Sequence, residues 1–399
     1  MRRLLTLINY HLQILDSMTE INYRFSPNVS PKKIRVIKTA DKILSGLFKK
    51  TKNTTTPIQD IKEVTIVQFA HIGDLILILP ALKKLKAISH YKINLVVNSQ
   101  NFAIASKLRF IDSVTVADAP WFARGKKVSF INFIKQLRKI NTDLIFDIRG
   151  DLRNNLFIKF FTRHRIFAGY DVGGGGNLLD EVFPFDHNGH VTGFLNPLFD
   201  YLRLPHTDIS EFWDADDLPC EAVRNHNFPA NFMVMHLGAG AQSRRWPVQN
   251  FIETLKVVSA DIPVYVLGTK EDATAEETEI ISMMPNVVNC IGVYSIPQSI
   301  YILKKSILFM GLESGFSHIA SMLRKKSFIL FSGTSNLNVW KPYSFSEGQV
   351  TLLNHVVPCN QVTGCGKFVC EDNICLKHIS PFEVSRLIQL YLQNTAFFV

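Results

Sequence analysis

No stretch of the 399-residue sequence approaches the ~20 uninterrupted apolar residues that a membrane-spanning helix requires. The start, Met1-Arg2-Arg3-Leu4-Leu5, opens as a secretory signal would. However, Asn9, His11, Gln13 and Asp16 break the apolar run, and no small-residue cleavage site follows. A cytoplasmic protein is therefore expected. Cysteine is scarce. Of six, Cys220 and Cys290 are isolated, and Cys359, Cys365, Cys370 and Cys375 cluster without the C-x-x-C hooks of a zinc ribbon. A disulfide framework does not suit a cytoplasmic chain, so the four are expected to be structural, with a bound metal as the minority reading, and no cofactor is expected. Acid is nearly missing from residues 1–52, where eleven Lys/Arg face three Asp/Glu; that segment's net +8 is most of the whole chain's +10. The same segment has few aromatics (Tyr10, Tyr23, Phe25, Phe48) and no nucleic-acid-binding module, so nucleic acid is not an expected partner. No internal repeat is visible.

What is present is a long chain, 47% hydrophobic, too large for one core, and two domains are the prior. Residues 1–62 read as a basic helical extension with a polar linker, Thr51–Pro57. One apolar stripe runs through Leu4, Ile8, Leu12, Leu15 and Met18. A second runs through Ile37, Ala40, Ile43, Leu44, Leu47 and Phe48, with Lys38, Lys42, Lys49 and Lys50 outside it. Basic amphipathic helices lie in anionic interfaces, so residues 1–52 are expected to hold the protein at a membrane surface. The alternative is packing on the first domain or on another subunit. Residues 63–207 read as a first α/β domain, with strands near 64–69, 93–98, 113–116 and 144–148 and helices at 80–88 and 130–139. The four glycines 173–176 read as a flexible loop. An acidic connection, 208–230, leads to a second α/β domain over 231–380. Its strands are expected near 232–237, 264–267, 287–290, 308–310 and 328–331. A helix over 381–392 follows the N-cap Ser380. Strand–helix alternation implies parallel sheets, and two such domains imply a cleft between them where ligands bind.

The chemistry-bearing residues sit where strands end. Phe69-Ala70-His71-Ile72-Gly73-Asp74 places a carboxylate at the carboxyl end of the opening strand, where open α/β sheets bind ligands. Asp74 also suits a helix cap. Gly238-Ala239-Gly240 lets backbone N–H groups approach an anion, and Arg244 or Arg245 can clamp phosphate oxygens ahead of Pro247. In Gly311–His318, Ser314 and Gly315 would open a helix with free N–H groups suited to a diphosphate, and Glu313 could accept from a ribose or sugar hydroxyl. His318, one turn on, either faces that ligand or is a core histidine. Glu271 or Asp272, after another strand, could bind a ribose or simply begin a helix.

These motifs, together with Leu79-Pro80-Ala81-Leu82, Trp246-Pro247 and the tail Cys375-Leu376-Lys377-His378-Ile379-Ser380, resemble glycosyltransferase family 9, the bacterial heptosyltransferases of lipopolysaccharide assembly. The resemblance spans about residues 63–392 in consistent order. It implies the GT-B fold, two Rossmann-like domains facing across a cleft, with the final helix (381–399) packing back on the first. It implies an inverting, metal-independent transferase that usually takes ADP-heptose as donor and a lipid-linked saccharide or other glycan as acceptor. It would work at the inner face of the inner membrane. Asp74 matches the family's catalytic aspartate, and His318 the histidine of its D-S/T-G-x-x-H motif. Arg244 stands where the family usually has the lysine of K-x-W-P, and Glu313 where it usually has aspartate. Arg and Lys hold phosphates differently. The strand-end reading and the resemblance together assign Asp74 and Arg244 to catalysis, and Gly73, Gly238, Ala239, Gly240, Arg245, Glu271, Glu313, Ser314, Gly315 and His318 to the donor. The alternatives are an inactive GT-B scaffold and a transferase of another nucleotide-sugar.

Overall fold

A computed structural model of the chain describes residues 31–47 and 58–395, apart from 124–126, 206–207, 225 and 361–363. The first apolar stripe of the extension lies outside the described residues. Twelve strands in this region form two six-stranded sheets. The first sheet contains β1 (Glu63–Gln68), β2 (Lys92–Val97), β3 (Ser113–Val116), β4 (Asn141–Asp147), β5 (Arg163–Gly169) and β6 (Glu181–Val182) in the order β3-β2-β1-β4-β5-β6. The second contains β7 (Met233–His236), β8 (Val264–Leu267), β9 (Val287–Asn289), β10 (Leu308–Leu312), β11 (Lys326–Leu330) and β12 (Val350–Leu353) in the order β12-β11-β10-β7-β8-β9. Every pairing is parallel; Ile66 lies opposite Leu95 on one side and Phe146 on the other. Central strands buried on both faces need continuous apolar runs, which β1 and β7 supply.

The two sheets share one winding. In each, the first strand lies between the second and the fourth, so the chain reverses direction across the sheet between β1 and β4 and again between β7 and β10. Crevices open at these switch points, beyond the strands' carboxyl ends. Residues 69–74, 148–151, 237–245 and 313–318 fill those four positions.

Several expectations change. β5, β6 and β12 had no place in the sequence reading: β5 opens on Arg163-His164-Arg165, β6 has two residues, and β12 is a short partly buried edge. The first crossover helix starts at Ile72 rather than Pro80 and runs through the proline to Ile88. The glycines 173–176 do not form a free linker. Gly173 N donates to Gly150 O (2.7 Å), and Gly175, with φ +80°, donates to Asp41 Oδ1 (2.6 Å). That second bond docks the Pro31–Leu47 helix on the first domain through a buried carboxylate, the packing alternative for this half of the extension. Among the described residues, the closing helix, Pro381–Thr395, packs on the second domain rather than on the first. Val384 and Ile388 are buried in the second domain's core beside the Val248–Val258 helix, and Gln389 Nε2 donates to Asp261 Oδ2 (2.8 Å).

The connection is stitched to both domains. Trp213 Nε1 donates to Met322 O and Arg324 Nη2 to Trp213 O, each at 2.9 Å. Asp217 pairs with Lys83, and Asp216 with Lys304. Among the described residues, no helix is long and apolar enough to cross a membrane.

Candidate active site

The Ile72–Ile88 helix is apolar all round from Leu75 to Leu82, and those residues are all buried. Such a helix belongs inside a protein. Its polar first turn emerges at the domain junction. Asp74, at the third helical position, accepts from His71 N through Oδ2 (3.2 Å), which is the capping role. Its other oxygen, Oδ1, accepts from Arg149 Nη1 (2.7 Å). Arg149 follows β4, so the two switch-point loops of the first sheet meet in this ion pair. Its guanidinium lies 5.8 Å from both the Phe122 and Trp340 rings, one from each domain. Sequence reading missed Arg149, although the strand-end rule that singled out Asp74 applies equally to it.

The Gly315–Met322 helix meets this turn head on. A Cβ on Gly73 would lie 2.9 Å from His318 Cδ2, and one on Gly315 would lie 2.3 Å from Ile72 Cγ2. Both glycines are needed for close approach, not for their backbone angles. The structure thus brings Gly73, Asp74, Ser314, Gly315 and His318 together. His318 is buried, and burial lowers its imidazole to about 3; nearby Asp74 opposes the shift, while His190 and Arg244 add to it. It is neutral at physiological pH.

Across the junction, Arg244 Nη2 donates to Ser335 Oγ (2.7 Å), and its Nε lies 3.3 Å from Glu313 Oε1. Glu313 is buried and accepts from Ser332 Oγ (2.7 Å). The Phe368 ring lies 5.5 Å from the Arg244 guanidinium. The cysteine-bearing tail wraps this loop: Cys370 N donates to Gln242 Oε1 (2.9 Å), and Gly333 N to the buried Cys375 Sγ (3.3 Å). All six cysteines are free thiols. Among the described residues, no group of three or more His, Cys, Asp or Glu is disposed to hold a metal.

Arg245 and Glu271 stand apart from this cluster. Arg245 pairs with Asp272 (3.3 Å), donates to Glu271 O (3.2 Å), and lines a cavity of about 290 Å³ with Gln242, Asp272, Glu371 and Lys377. Glu271 itself is exposed. Asp272 also accepts from Thr269 N (2.7 Å) and would crowd any Cβ on Gly238. Gly238, Ala239 and Gly240 follow β7 as expected. The last residue of that strand, His236, was not singled out in the sequence. It is buried and stacks on Phe316 (4.3 Å, 8° between planes), and desolvation lowers its imidazole to about 4.

Four buried polar atoms in this region have no hydrogen-bond partner in the protein: His236 Nδ1, Arg244 Nε, Ser314 Oγ and His318 Nδ1. An unsatisfied buried polar group costs about 1–3 kcal/mol. Arg244 Nε keeps its ion pair with Glu313, and the other three, at the strand ends of one domain, are groups that a polar ligand can satisfy.

Two doubly wound sheets, with their switch points turned to a common cleft, define the GT-B class of glycosyltransferases. The family model of glycosyltransferase family 9 (heptosyltransferase) matches residues 130–365, more than half of the chain, and the chain belongs to that family. Lipopolysaccharide heptosyltransferase 1 of Campylobacter coli is 18% identical over 358 residues, which cover 82% of this chain and 98% of that one. The E. coli heptosyltransferase WaaC, solved with ADP, shares 16% identity at a TM-score of 0.61 over 82% of this chain and 99% of its own. WaaC has also been solved with ADP-2-deoxy-2-fluoro heptose (TM-score 0.60, 15% identity, the same coverage). The family 9 glycosyl transferase of Veillonella parvula has a TM-score of 0.63 at 16% identity over 84% of this chain and 97% of its own.

Proposed function

We propose that the chain is an inverting heptosyltransferase. It takes ADP-heptose and transfers the sugar to a lipid-linked saccharide of the lipopolysaccharide type on the cytoplasmic face of the inner membrane. The observation that carries this is the meeting of the Asp74 carboxylate with the second domain's unsatisfied polar atoms across one junction. The donor is the kind of ligand for which WaaC, with the same fold, was solved. A membrane-bound acceptor gives the cationic side chains of residues 1–52 a purpose besides the packing of the Pro31–Leu47 helix.

An acceptor hydroxyl is a poor nucleophile. Asp74 takes its proton as the oxygen attacks the anomeric carbon from the face opposite the diphosphate, which inverts configuration. The departing nucleoside diphosphate gains negative charge. Arg244, with the backbone N–H groups of Ser314 and Gly315 and the positive end of their helix, stabilises it without a metal ion. His318 is neutral, so it can hydrogen-bond the donor without adding charge beside Asp74. Gly238, Ala239 and Gly240 let the donor approach the backbone, while Glu313 holds Arg244 and accepts from a sugar or ribose hydroxyl. Arg245 and Glu271 belong to the donor's outer rim.

Turnover of ADP-heptose in the presence and absence of acceptor tests the assignment. Asp74→Asn is expected to lower kcat by ~10²–10⁴-fold with donor affinity nearly unchanged. Arg244→Ala is expected to weaken binding of ADP and slow transfer. Wild-type turnover by Asp74→Asn removes the base assignment. Loss of activity in chelator, restored by Mg²⁺, removes the metal-free mechanism.

A further inference from the structure

The Phe130–Leu137 helix presents a surface that none of this chemistry uses. Ser129 caps it by accepting from Asn132 N (3.3 Å). Phe133 and Leu137, four residues apart, are buried, and the Phe133 ring packs edge-on against Phe69 and Trp121. Phe130 and Ile131 remain 53% and 67% exposed. Residues 127–139 contain four cationic side chains, Lys127, Lys135, Arg138 and Lys139, and no acid. All four are exposed, and among the described residues none forms an ion pair.

This basic, apolar-tipped lip is tied to the proposed base by a continuous path. Phe130 contacts Phe157 (6.1 Å between centroids), and Phe157 contacts Trp121 (5.2 Å). The next residue, Phe122, lies 5.8 Å from the Arg149 guanidinium, and Arg149 holds Asp74. The lip and the base therefore share one domain and one packed layer. An acceptor sugar at Asp74 could lead to an anchor lying beside Phe130.

We propose that this lip docks on an anionic membrane surface, with Phe130 and Ile131 entering the interface and Lys127, Lys135, Arg138 and Lys139 resting on the headgroups. It is a second contact, separate from residues 1–52. It rests on the transferase reading for its purpose, but its test uses neither donor nor acceptor. Burying one large apolar side chain favours partition by roughly ten- to a hundred-fold, and each basic residue at the surface by roughly five-fold.

The full chain is sedimented with phosphatidylglycerol/phosphatidylcholine vesicles and with phosphatidylcholine vesicles alone, at low and high salt. Ile131→Glu combined with Lys135→Glu is expected to lower partition onto the anionic vesicles by at least about ten-fold. Donor hydrolysis and melting temperature should be unchanged, since both side chains are exposed. Equal partition of wild type and variant overturns the proposal, as does a change in oligomeric state with no change on vesicles, which would make the lip a protein interface. Should that variant fold poorly, Lys135→Glu with Lys139→Glu decides by the same readout. Asp74→Asn protein is expected to bind vesicles as wild type does, so failed docking and failed transfer are separate results.

Discussion

At the scale of single residues, the fold holds one carboxyl proton that an exposed aspartate would have lost. Asp147 ends β4 fully buried, accepting from Gly150 N (3.0 Å) and Asn154 Nδ2 (3.1 Å). Burial raises its carboxyl to about 7, and those two hydrogen bonds only partly oppose the shift. The turn that it braces carries Arg149, the partner of Asp74. In the unfolded chain the same group ionises near 3.8. Between about pH 4 and pH 7 the folded state therefore binds the extra proton, and stability from this group falls as pH rises, levelling off above pH 7. Asp147→Asn cannot titrate. Relative to the variant, the wild-type melting temperature should fall across that window and then run parallel to it. His318 and His236, both held neutral by burial, titrate alike in the two proteins and cancel in the difference. A difference independent of pH would mean that Asp147 is ionised throughout.

At the scale of elements, the crossing of two helix ends sets the site. Gly315 leaves no room for a Cβ against Ile72, so Gly315→Ala must push the two helices apart. Overpacking of this kind typically costs about 1–3 kcal/mol. We expect Gly315→Ala to lower kcat/KM by about ten-fold or more and to reduce the melting temperature. Ile72→Ala in the same chain should restore much of both. A double-mutant cycle measures this, and additive losses would show that the contact does not couple the domains. The sequence carried part of this geometry. Strand-end loops were legible because β1 and β7 are short apolar runs followed by glycine and polar residues, and both helix-starting motifs stood in order. Pro80 hid the start of the Ile72–Ile88 helix, since proline usually begins or breaks one, whereas here tertiary burial overrides it. β5 and β12 were illegible because β5 opens on three polar residues and β12 is short and only partly buried. Ser335 and Phe368 were illegible as site residues because only folding brings them to Arg244, whereas Arg149 stood at a strand end and was open to the same rule as Asp74.

At the scale of the whole molecule, two sheets with the same winding turn their crevices toward each other, and the 208–230 connection binds both. The Pro31–Leu47 helix is part of that body through Asp41. Removing residues 1–30 keeps this helix and sets a reference melting temperature. Removing residues 1–57 strips a buried N–H of its partner, a loss of about 1–3 kcal/mol, and should lower it by several degrees. Equal melting temperatures for the two truncations would show that the helix is not held. The Ile72–Ile88 helix has a further consequence. Its second and third turns are buried beneath both domains, against the Gly315–Met322 helix and the turns at 191–193 and 209–212. Its amides can meet solvent deuterium only when the molecule opens globally. The base thus rides at the head of a segment that exchanges only on global opening, so partial opening at the periphery leaves the reaction centre assembled, and inactivation should track global unfolding rather than local fraying.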